Sequence, residues 1–183
     1  MNEKDQKRVS KFMSLVLRHQ PEIAGLTLDD AGWVTVEDLL EGMARNSRGL
    51  SAVELKQIVD NNDKKRFEFS GDGLRIRASQ GHSVNVELGY EPKTPPPTLL
   101  HGTVEKFLDS IREKGLIKGS RQHVHLHDDR NVAIQVGSRR GRPVILEIDA
   151  AAMVTKGYDF YCSTNSVWLT NYVPPEFIRF EKY

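Results

Sequence analysis

Cysteine, long apolar runs and net charge are all scarce in this chain. A single cysteine, Cys162, occurs among 183 residues, so no intramolecular disulfide can form and a reducing compartment is expected. No long apolar run is present, and Met1–Arg8 is mostly charged rather than signal-like. We therefore expect a cytoplasmic protein that makes no contact with membranes.

The formal net charge is only +1, because 26 Lys and Arg residues face 25 Asp and Glu residues. A general electrostatic coating of nucleic acid is therefore not expected, and any polyanion must be bound by local clusters of charge. No Gly-rich phosphate loop of the Walker or Rossmann type is present, and no Ser/His/Asp arrangement stands out. The chemistry must come from residues outside these motifs.

The first 80 residues have the pattern of three helices followed by a β-hairpin. Apolar residues at i, i+3, i+4, i+7 and i+8 predict the first helix, and side-chain caps predict the starts of the next two. Alternating segments around a Ser-Gly-Asp-Gly turn predict the hairpin. This order is typical of a winged-helix lobe, which we place at residues 1–80. The features are the stripe Val9–Leu17, stopped by Pro21 with Arg18 and His19 in its last turn, the caps Thr35 and Ser51, and the strand pair 66–69 and 74–77.

Four prolines indicate a stiff connector within residues 81–97, and residues 98–183 have an α+β pattern rich in strands. Leu99–His101 is predicted as a strand, Gly102 as a sharp turn with its backbone open to a ligand, and Thr103 as the cap of the next helix. The later predicted elements are that helix, ending at Gly115, a helix near Asp129–Val136, and strands at Val144–Ile148, Val167–Leu169 and Phe177–Phe180.

Three of the six histidines alternate with aliphatic residues in one short run. The alternation predicts a strand whose buried face carries Val124 and Leu126. Such a strand can hold a metal ion, carry out catalysis or bind an anion, or it can be a half-exposed polar strand without a ligand. The polar face consists of Arg121, His123, His125 and His127.

Zinc is one candidate for this face, because histidines at i and i+2 can both bind it, but a zinc site needs three or four ligands. His101 and Cys162 could complete the set, yet no Cys-x-x-Cys or His-Glu-x-x-His spacing supports them. Arg121 on the same face repels a divalent cation. We therefore expect no metal site.

Several cationic segments have two interpretations. Arg18 and His19 could be catalytic, but cations at a helix end are also explained by the helix dipole alone. Lys64–Arg66 before the hairpin and Arg139–Arg142 in a turn could contact phosphates, although exposed hairpins and loops are often charged. Gln80–Ser83 is a further compact cluster of hydrogen-bonding groups.

Taken in order, these segments resemble the RNA 2′-phosphotransferases. Each motif is weak alone, but six of them in the right order span nearly the whole chain. They are Leu17-Arg18-His19 before Pro21; Lys64-Lys65-Arg66-Phe67; Ile76-Arg77-Ala78 followed by Gln80-Gly81-His82-Ser83; His101-Gly102-Thr103; Arg121 ahead of His123-Val124-His125-Leu126; and Val167-Trp168-Leu169-Thr170 followed by Val173-Pro174-Pro175-Glu176.

The resemblance implies an N-terminal winged-helix lobe and a C-terminal lobe with an ADP-ribosyltransferase-like fold. It implies an enzyme that removes an internal 2′-phosphate, left at an RNA splice junction, and consumes NAD as the acceptor. The phosphate first displaces nicotinamide, and the neighbouring ribose 2″-hydroxyl then attacks it, which releases 2′-hydroxyl RNA and ADP-ribose 1″,2″-cyclic phosphate. The implied partners are RNA with a 2′-phosphate and NAD, and we expect a monomer.

The resemblance also assigns roles to individual residues. The family's catalytic Arg-His-Arg-Arg set falls on Arg18, His19, Arg66 and Arg121, which implies three guanidinium groups converging on one phosphate. His19 is the member that can exchange a proton near neutral pH.

The family's NAD-binding turn falls on His101, Gly102 and Thr103. A second NAD contact falls on the following histidine strand, where we favour His125 over His123. This chain has His127 where the family often has a small hydroxyl residue. The catalytic glutamate of typical ADP-ribosyltransferases has no counterpart, because the aligned stretch is Ser166-Val167-Trp168.

Two other functions compete with this one. An ADP-ribosyltransferase could act on a different acceptor, such as a terminal phosphate of RNA or DNA. A winged-helix binding module could instead use its second lobe to sense a nucleotide, and it would then bind duplexes without consuming NAD. A comparison of internal 2′-phosphate with terminal phosphate substrates distinguishes the first alternative from a 2′-phosphotransferase. Consumption of NAD distinguishes either enzyme from the binding module.

Overall fold

A computed structural model describes residues 2–180, which form a mixture of helices and short antiparallel strands. This mixture agrees with the predicted α+β class. The winged-helix and ADP-ribosyltransferase-like assignments of the two lobes stay predictions. No helix within these residues combines the length and the apolar character needed to cross a membrane.

The chain divides into two compact units, one from Met1 to Gly89 and one from Tyr90 to Tyr183. Each unit has a hydrophobic core of its own. Residues 85–96, at this division, contain no helix or strand. The predicted lobes 1–80 and 98–183, with their connector 81–97, stay predictions.

The first unit combines three helices with a three-stranded antiparallel sheet in the order β1-β3-β2. A 3-10 turn at Pro21–Ala24 follows the first helix. The elements are α1 (Glu3–Val16), β1 (Val34–Thr35), α2 (Val36–Arg45), α3 (Ala52–Asp60), β2 (Phe67–Phe69) and β3 (Arg75–Ala78).

The predicted caps of this unit are confirmed. The Thr35 hydroxyl accepts a hydrogen bond from the backbone N–H of Asp38, and Ser51 forms a reciprocal capping box with Glu54. The end of α1 differs from the prediction, because the helix stops at Val16. Arg18 and His19 therefore lie in the turn beyond it rather than in its last helical turn.

The core of the first unit brings the apolar stripe of α1 against α2, α3 and the sheet. Each of its fully buried side chains contributes about 1.5–3 kcal/mol of transfer free energy. These side chains fix the direction in which α1 ends, and hence the place of the turn that carries Arg18 and His19. They are Met13, Val16, Leu17, Leu39, Met43, Leu55 and Ile76.

The second unit contains two three-stranded antiparallel sheets, in the orders β11-β7-β4 and β6-β9-β8, and a two-stranded pair, β10-β5. The short strands β5, β8 and β10 and the helix α6 were not predicted. The elements are β4 (Thr98–Val104), α4 (Leu108–Lys114), β5 (Leu116–Ile117), β6 (Val124–Leu126), α5 (Arg130–Gly137), β7 (Pro143–Asp149), α6 (Ala150–Thr155), β8 (Tyr161–Cys162), β9 (Trp168–Thr170), β10 (Tyr172–Val173) and β11 (Ile178–Phe180).

The turn predicted at Gly102 is wrong, because β4 continues through Gly102 and Thr103 to Val104. Thr103 is buried in this strand opposite Val144 and does not cap a helix. Gly102 has another purpose: an added Cβ would lie 1.9 Å from the carbonyl oxygen of Ala133. The glycine therefore allows α5 to pack directly on the backbone of β4.

The histidine strand is shorter than predicted. Strand β6 covers only Val124–Leu126, while Arg121 and His123 precede it in a bend. Val124 and Leu126 are buried, as the alternation predicts. His127 is buried rather than exposed, because its backbone pairs with Leu100 of β4 in an isolated bridge. This bridge links the two three-stranded sheets.

Candidate functional site

The first unit contains a groove of about 600 Å³ that has Arg18 and Arg66 in its lining. Arg18 comes from the turn after α1, and Arg66 from the residue just before β2. The Arg18 guanidinium donates from Nη2 to the backbone oxygen of Arg66, at 3.4 Å. Two arginines that are 48 positions apart in sequence thus meet at one end of the same groove.

His19 is held by a residue from the segment after the hairpin. Its Nδ1 lies 2.9 Å from the hydroxyl oxygen of Ser83. The backbone N–H of Ser83 in turn donates to the carbonyl oxygen of Arg18, at 2.9 Å. This contact fixes the orientation of the imidazole, a group that can exchange a proton near neutral pH.

His82 supports this segment from inside the unit. It is 1% exposed, and neither ring nitrogen has a hydrogen-bond partner among residues 2–180. Burial, followed by the nearby cations Arg18 and Arg77, lowers the pKa of His82 from 6.5 to about 4. Its ring is therefore neutral at pH 7. Gly32, at φ +80°, approaches its Nε2 so closely that an added Cβ would lie 3.3 Å away.

The second unit joins three of the predicted residues in a chain of contacts. Arg121 Nη1 donates to Nδ1 of His125 at 3.1 Å, so Nδ1 is the acceptor in this contact. His101 Nδ1 donates to the backbone oxygen of His125 at 3.0 Å, which leaves Nε2 of His101 as an acceptor. Arg121, His125 and His101 thus form one connected group in the second unit.

Arginines dominate the charge of this unit's site. Burial, followed by Arg139 and Arg140, lowers the pKa of Arg121, although a guanidinium stays charged at neutral pH. Burial also lowers the pKa of His101, and the positive charges of Arg121 and Arg140 lower it further. The sequence alone did not connect Arg139 and Arg140 with these residues. The basic turn at residues 139–142 was the feature that could have indicated the connection.

The two remaining histidines of the run, His123 and His127, are shielded from solvent to different degrees. Burial, followed by the charge of Lys118, lowers the pKa of His123, whose ring lies 5.7 Å from that of Tyr161. Burial and the nearby His101 lower the pKa of His127 to about 4. In the described part of the chain, no three His, Cys, Asp or Glu side chains gather closely enough to hold a metal ion.

The buried histidines predict a loss of stability in mild acid. A lowered pKa means that the unfolded chain takes up a proton before the folded chain does, so the free energy of unfolding falls as pH decreases from about 6.5 to 4. The loss is on the order of 3 kcal/mol for each of His82 and His127. Urea unfolding across this pH range should show it, and H127Q should have a shallower dependence. Equal slopes for the two proteins would contradict the prediction.

The structure thus groups the predicted residues by unit. Arg18, His19 and Arg66 lie together in the first unit, and His101, Arg121 and His125 in the second. Gly102 and Thr103 are neighbours of His101 in β4, but they lie in a covered strand and not in an open turn. Ser83, the partner of His19, was missed as such, although the Gln80–Ser83 cluster marked its position.

Comparison with known proteins identifies the family of this chain. Residues 4–172 match the model of the RNA 2′-phosphotransferase, Tpt1 / KptA family. A probable RNA 2′-phosphotransferase of Flavobacterium johnsoniae is 52% identical over 99% of this chain and 100% of its own length. Similar proteins of the same name from Pseudomonas aeruginosa and Trichormus variabilis are 54% and 48% identical, over 98% of this chain and 99% and 98% of their own lengths. The chain therefore belongs to the RNA 2′-phosphotransferase, Tpt1 / KptA family.

Proposed function

We propose that this protein removes an internal 2′-phosphate from RNA and transfers it to the ADP-ribose part of NAD. Family membership supports RNA 2′-phosphate as the substrate. The observation that carries the proposal is the meeting of Arg18 and Arg66 in one groove with His19 beside them. A phosphate monoester needs several charge-assisted donors, and guanidinium groups supply them in pairs.

The proposed reaction has two steps. An oxygen of the RNA 2′-phosphate attacks the ribose carbon that bears nicotinamide, and nicotinamide leaves with the bonding electrons as a neutral base. The product is 2′-phospho-ADP-ribosylated RNA. The neighbouring ribose 2″-hydroxyl then loses its proton and attacks phosphorus. The RNA 2′-oxygen leaves and takes up a proton, so the products are 2′-hydroxyl RNA and ADP-ribose 1″,2″-cyclic phosphate.

The arginines act mainly in the second step. Negative charge increases on the phosphoryl oxygens as the 2″-oxygen attacks, and fixed guanidinium donors stabilise that charge. Arg18 and Arg66 provide such donors from the first unit, and we assign Arg121 to the same step. His19, which Ser83 holds at Nδ1, is the member of this set that transfers protons near neutral pH.

NAD fits the donor set of the second unit. Its amide and ribose groups are neutral and both donate and accept hydrogen bonds, which suits the paired imidazoles of His101 and His125. Its diphosphate is anionic, which matches Arg139 and Arg140, whose positive charges act on Arg121. The first step needs no glutamate base, since a phosphate monoester is already largely ionised at pH 7.

The experiment that tests the function is product analysis. RNA with one internal 2′-phosphate, incubated with the protein and NAD, is expected to become 2′-hydroxyl RNA and to release one nicotinamide and one ADP-ribose 1″,2″-cyclic phosphate. Phosphate loss without NAD would exclude the proposed acceptor. Faster modification of RNA with only a terminal phosphate would support the alternative ADP-ribosyltransferase activity.

A further inference from the structure

The groove that contains Arg18 and Arg66 extends well beyond these two residues along α1. Lys7, Lys11, Ser14 and Arg18 follow one another at intervals of three or four residues, so they lie on one face of the helix and its end. At 1.5 Å per residue, Lys11 and Lys7 lie about 8 Å and 14 Å from the end of α1 at Val16. The groove is therefore much longer than one phosphate requires.

The opposite wall is the segment that leads from α3 to β2, and hydrogen bonds tie the two walls together. The side-chain amide of Asn62 donates to the hydroxyl oxygen of Ser10 at 3.3 Å. The same side chain accepts from the backbone N–H of Arg66 at 3.3 Å, and Arg18 closes one end of the groove on the Arg66 carbonyl. These contacts, all within the first unit, fix the distance between the two walls of the groove.

The residues that line the groove are mostly of polar types and carry more positive than negative charge. Five cationic side chains face two carboxylates, and Ile58 is the one large apolar side chain among the lining residues. The remaining lining residues carry hydroxyl or amide groups, which can bind ribose hydroxyls and base edges. The cations are Lys7, Lys11, Lys64, Arg18 and Arg66, and the carboxylates are those of Glu3 and Asp63.

We propose that this groove along α1 binds the single-stranded RNA that flanks the 2′-phosphate. The inference rests on the proposed function, because it takes the end at Arg18 and Arg66 as the place of the 2′-phosphate. Lysines spaced along a groove neutralise successive backbone phosphates, while hydroxyl and amide groups contact the strand without strict sequence preference.

Lys7 and Lys11 differ in whether a carboxylate of the protein competes with RNA phosphate for the ammonium group. Lys7 donates to the carboxylate of Glu3 at 2.8 Å, an interaction that raises the pKa of Lys7. Lys11 has no ion pair within residues 2–180. Lys11 is therefore the stronger phosphate contact, and Glu3 weakens the contact of Lys7.

The test compares a dinucleotide that carries the 2′-phosphate at its junction with the same substrate extended by four nucleotides on its 5′ or 3′ side. One extension is expected to lower KM. In K7A/K11A the ratio of the KM of the dinucleotide to the KM of the extended substrate should fall by about fourfold per lysine at about 0.15 M salt. The slope of log affinity for the extended RNA against log salt should decrease in magnitude by about 1.4. Turnover of the dinucleotide should change less than twofold. K56A, which removes an exposed lysine outside the groove, is the matched control.

E3Q provides a test that misfolding cannot imitate, because it should tighten binding of the extended RNA by releasing Lys7. Fluorescence anisotropy with labelled single-stranded RNA that lacks the 2′-phosphate measures the groove without any reaction. Loss of turnover on every substrate, with intact lysine-dependent binding, would reject the proposed function and keep the groove. Equal KM values for the dinucleotide and both extended substrates, or equal affinity of K7A/K11A and the unmodified protein, would overturn the inference.

Discussion

Replacing Arg66 with alanine is expected to lower the rate of complete phosphate transfer by roughly 10²–10³-fold and to leave 2′-phospho-ADP-ribosylated RNA as the main product. The second step should suffer more than the first, because charge on the phosphoryl oxygens increases as the ribose hydroxyl attacks. Gel analysis of labelled RNA with saturating NAD separates the intermediate from substrate and product. H19A should accumulate the same intermediate.

The geometry makes this variant informative. Arg66 binds Arg18 and Asn62 through its backbone oxygen and backbone N–H, and these contacts persist when its side chain is truncated. A loss of rate therefore reports on the guanidinium and not on the position of Arg18. R66K should recover part of the rate, since an ammonium supplies charge without the bidentate geometry. R75A, on the exposed hairpin and paired with Asp29, should react normally. Normal turnover by both R66A and H19A would show that the site is assigned wrongly.

G102A is expected to destabilise the second unit by more than about 3 kcal/mol, or to prevent its folding. The new Cβ would lie 1.9 Å from the carbonyl oxygen of Ala133, 2.8 Å from its carbon and 2.9 Å from the backbone nitrogen of Gly137. All three are backbone atoms of α5, so no side chain can rotate away. The helix must move off β4, and the core beneath it must open.

Thermal unfolding followed by circular dichroism measures this effect, and a decrease in Tm of ~10 °C or more is expected for a unit of this size. G71A is the matched control, because a Cβ at Gly71 meets no atom within 4 Å and the residue does not have a positive φ. A normal Tm for G102A would show that α5 does not pack on β4 as described.

The predictable parts of the fold are those encoded within a few neighbouring residues. The caps at Thr35 and Ser51 and the hairpin strands follow from local hydrogen bonding and alternation, and the structure confirms them. The error at Gly102 has the opposite origin. Glycine permits both a turn and a close approach of another element, and only the position of α5, about thirty residues later, decides between them.

In the candidate site, too, contacts between distant parts of the chain could not be predicted from the sequence. The sequence and its family resemblance predict that Arg18, His19, Arg66, Arg121 and the histidines are site residues. Their partners could not be predicted, because Ser83 reaches His19 across 64 positions and Arg18 reaches the Arg66 carbonyl across 48. The burial of His127 was also hidden, since alternation assigns a face to a residue but does not show whether another strand covers that face.

The bridge between Leu100 and His127 connects the backbones of the two three-stranded sheets of the second unit, which also share one hydrophobic core. Two backbone hydrogen bonds, of 2.7 and 2.9 Å, join its two three-stranded sheets at this point. His101 follows Leu100, and His125 lies two residues before His127. Both imidazoles therefore belong to residues close to this bridge. A ligand that contacts both rings would connect the two sheets a second time beside this bridge. Hydrogen exchange of the backbone amides of Leu100 and His127 is therefore expected to slow when the ligand binds.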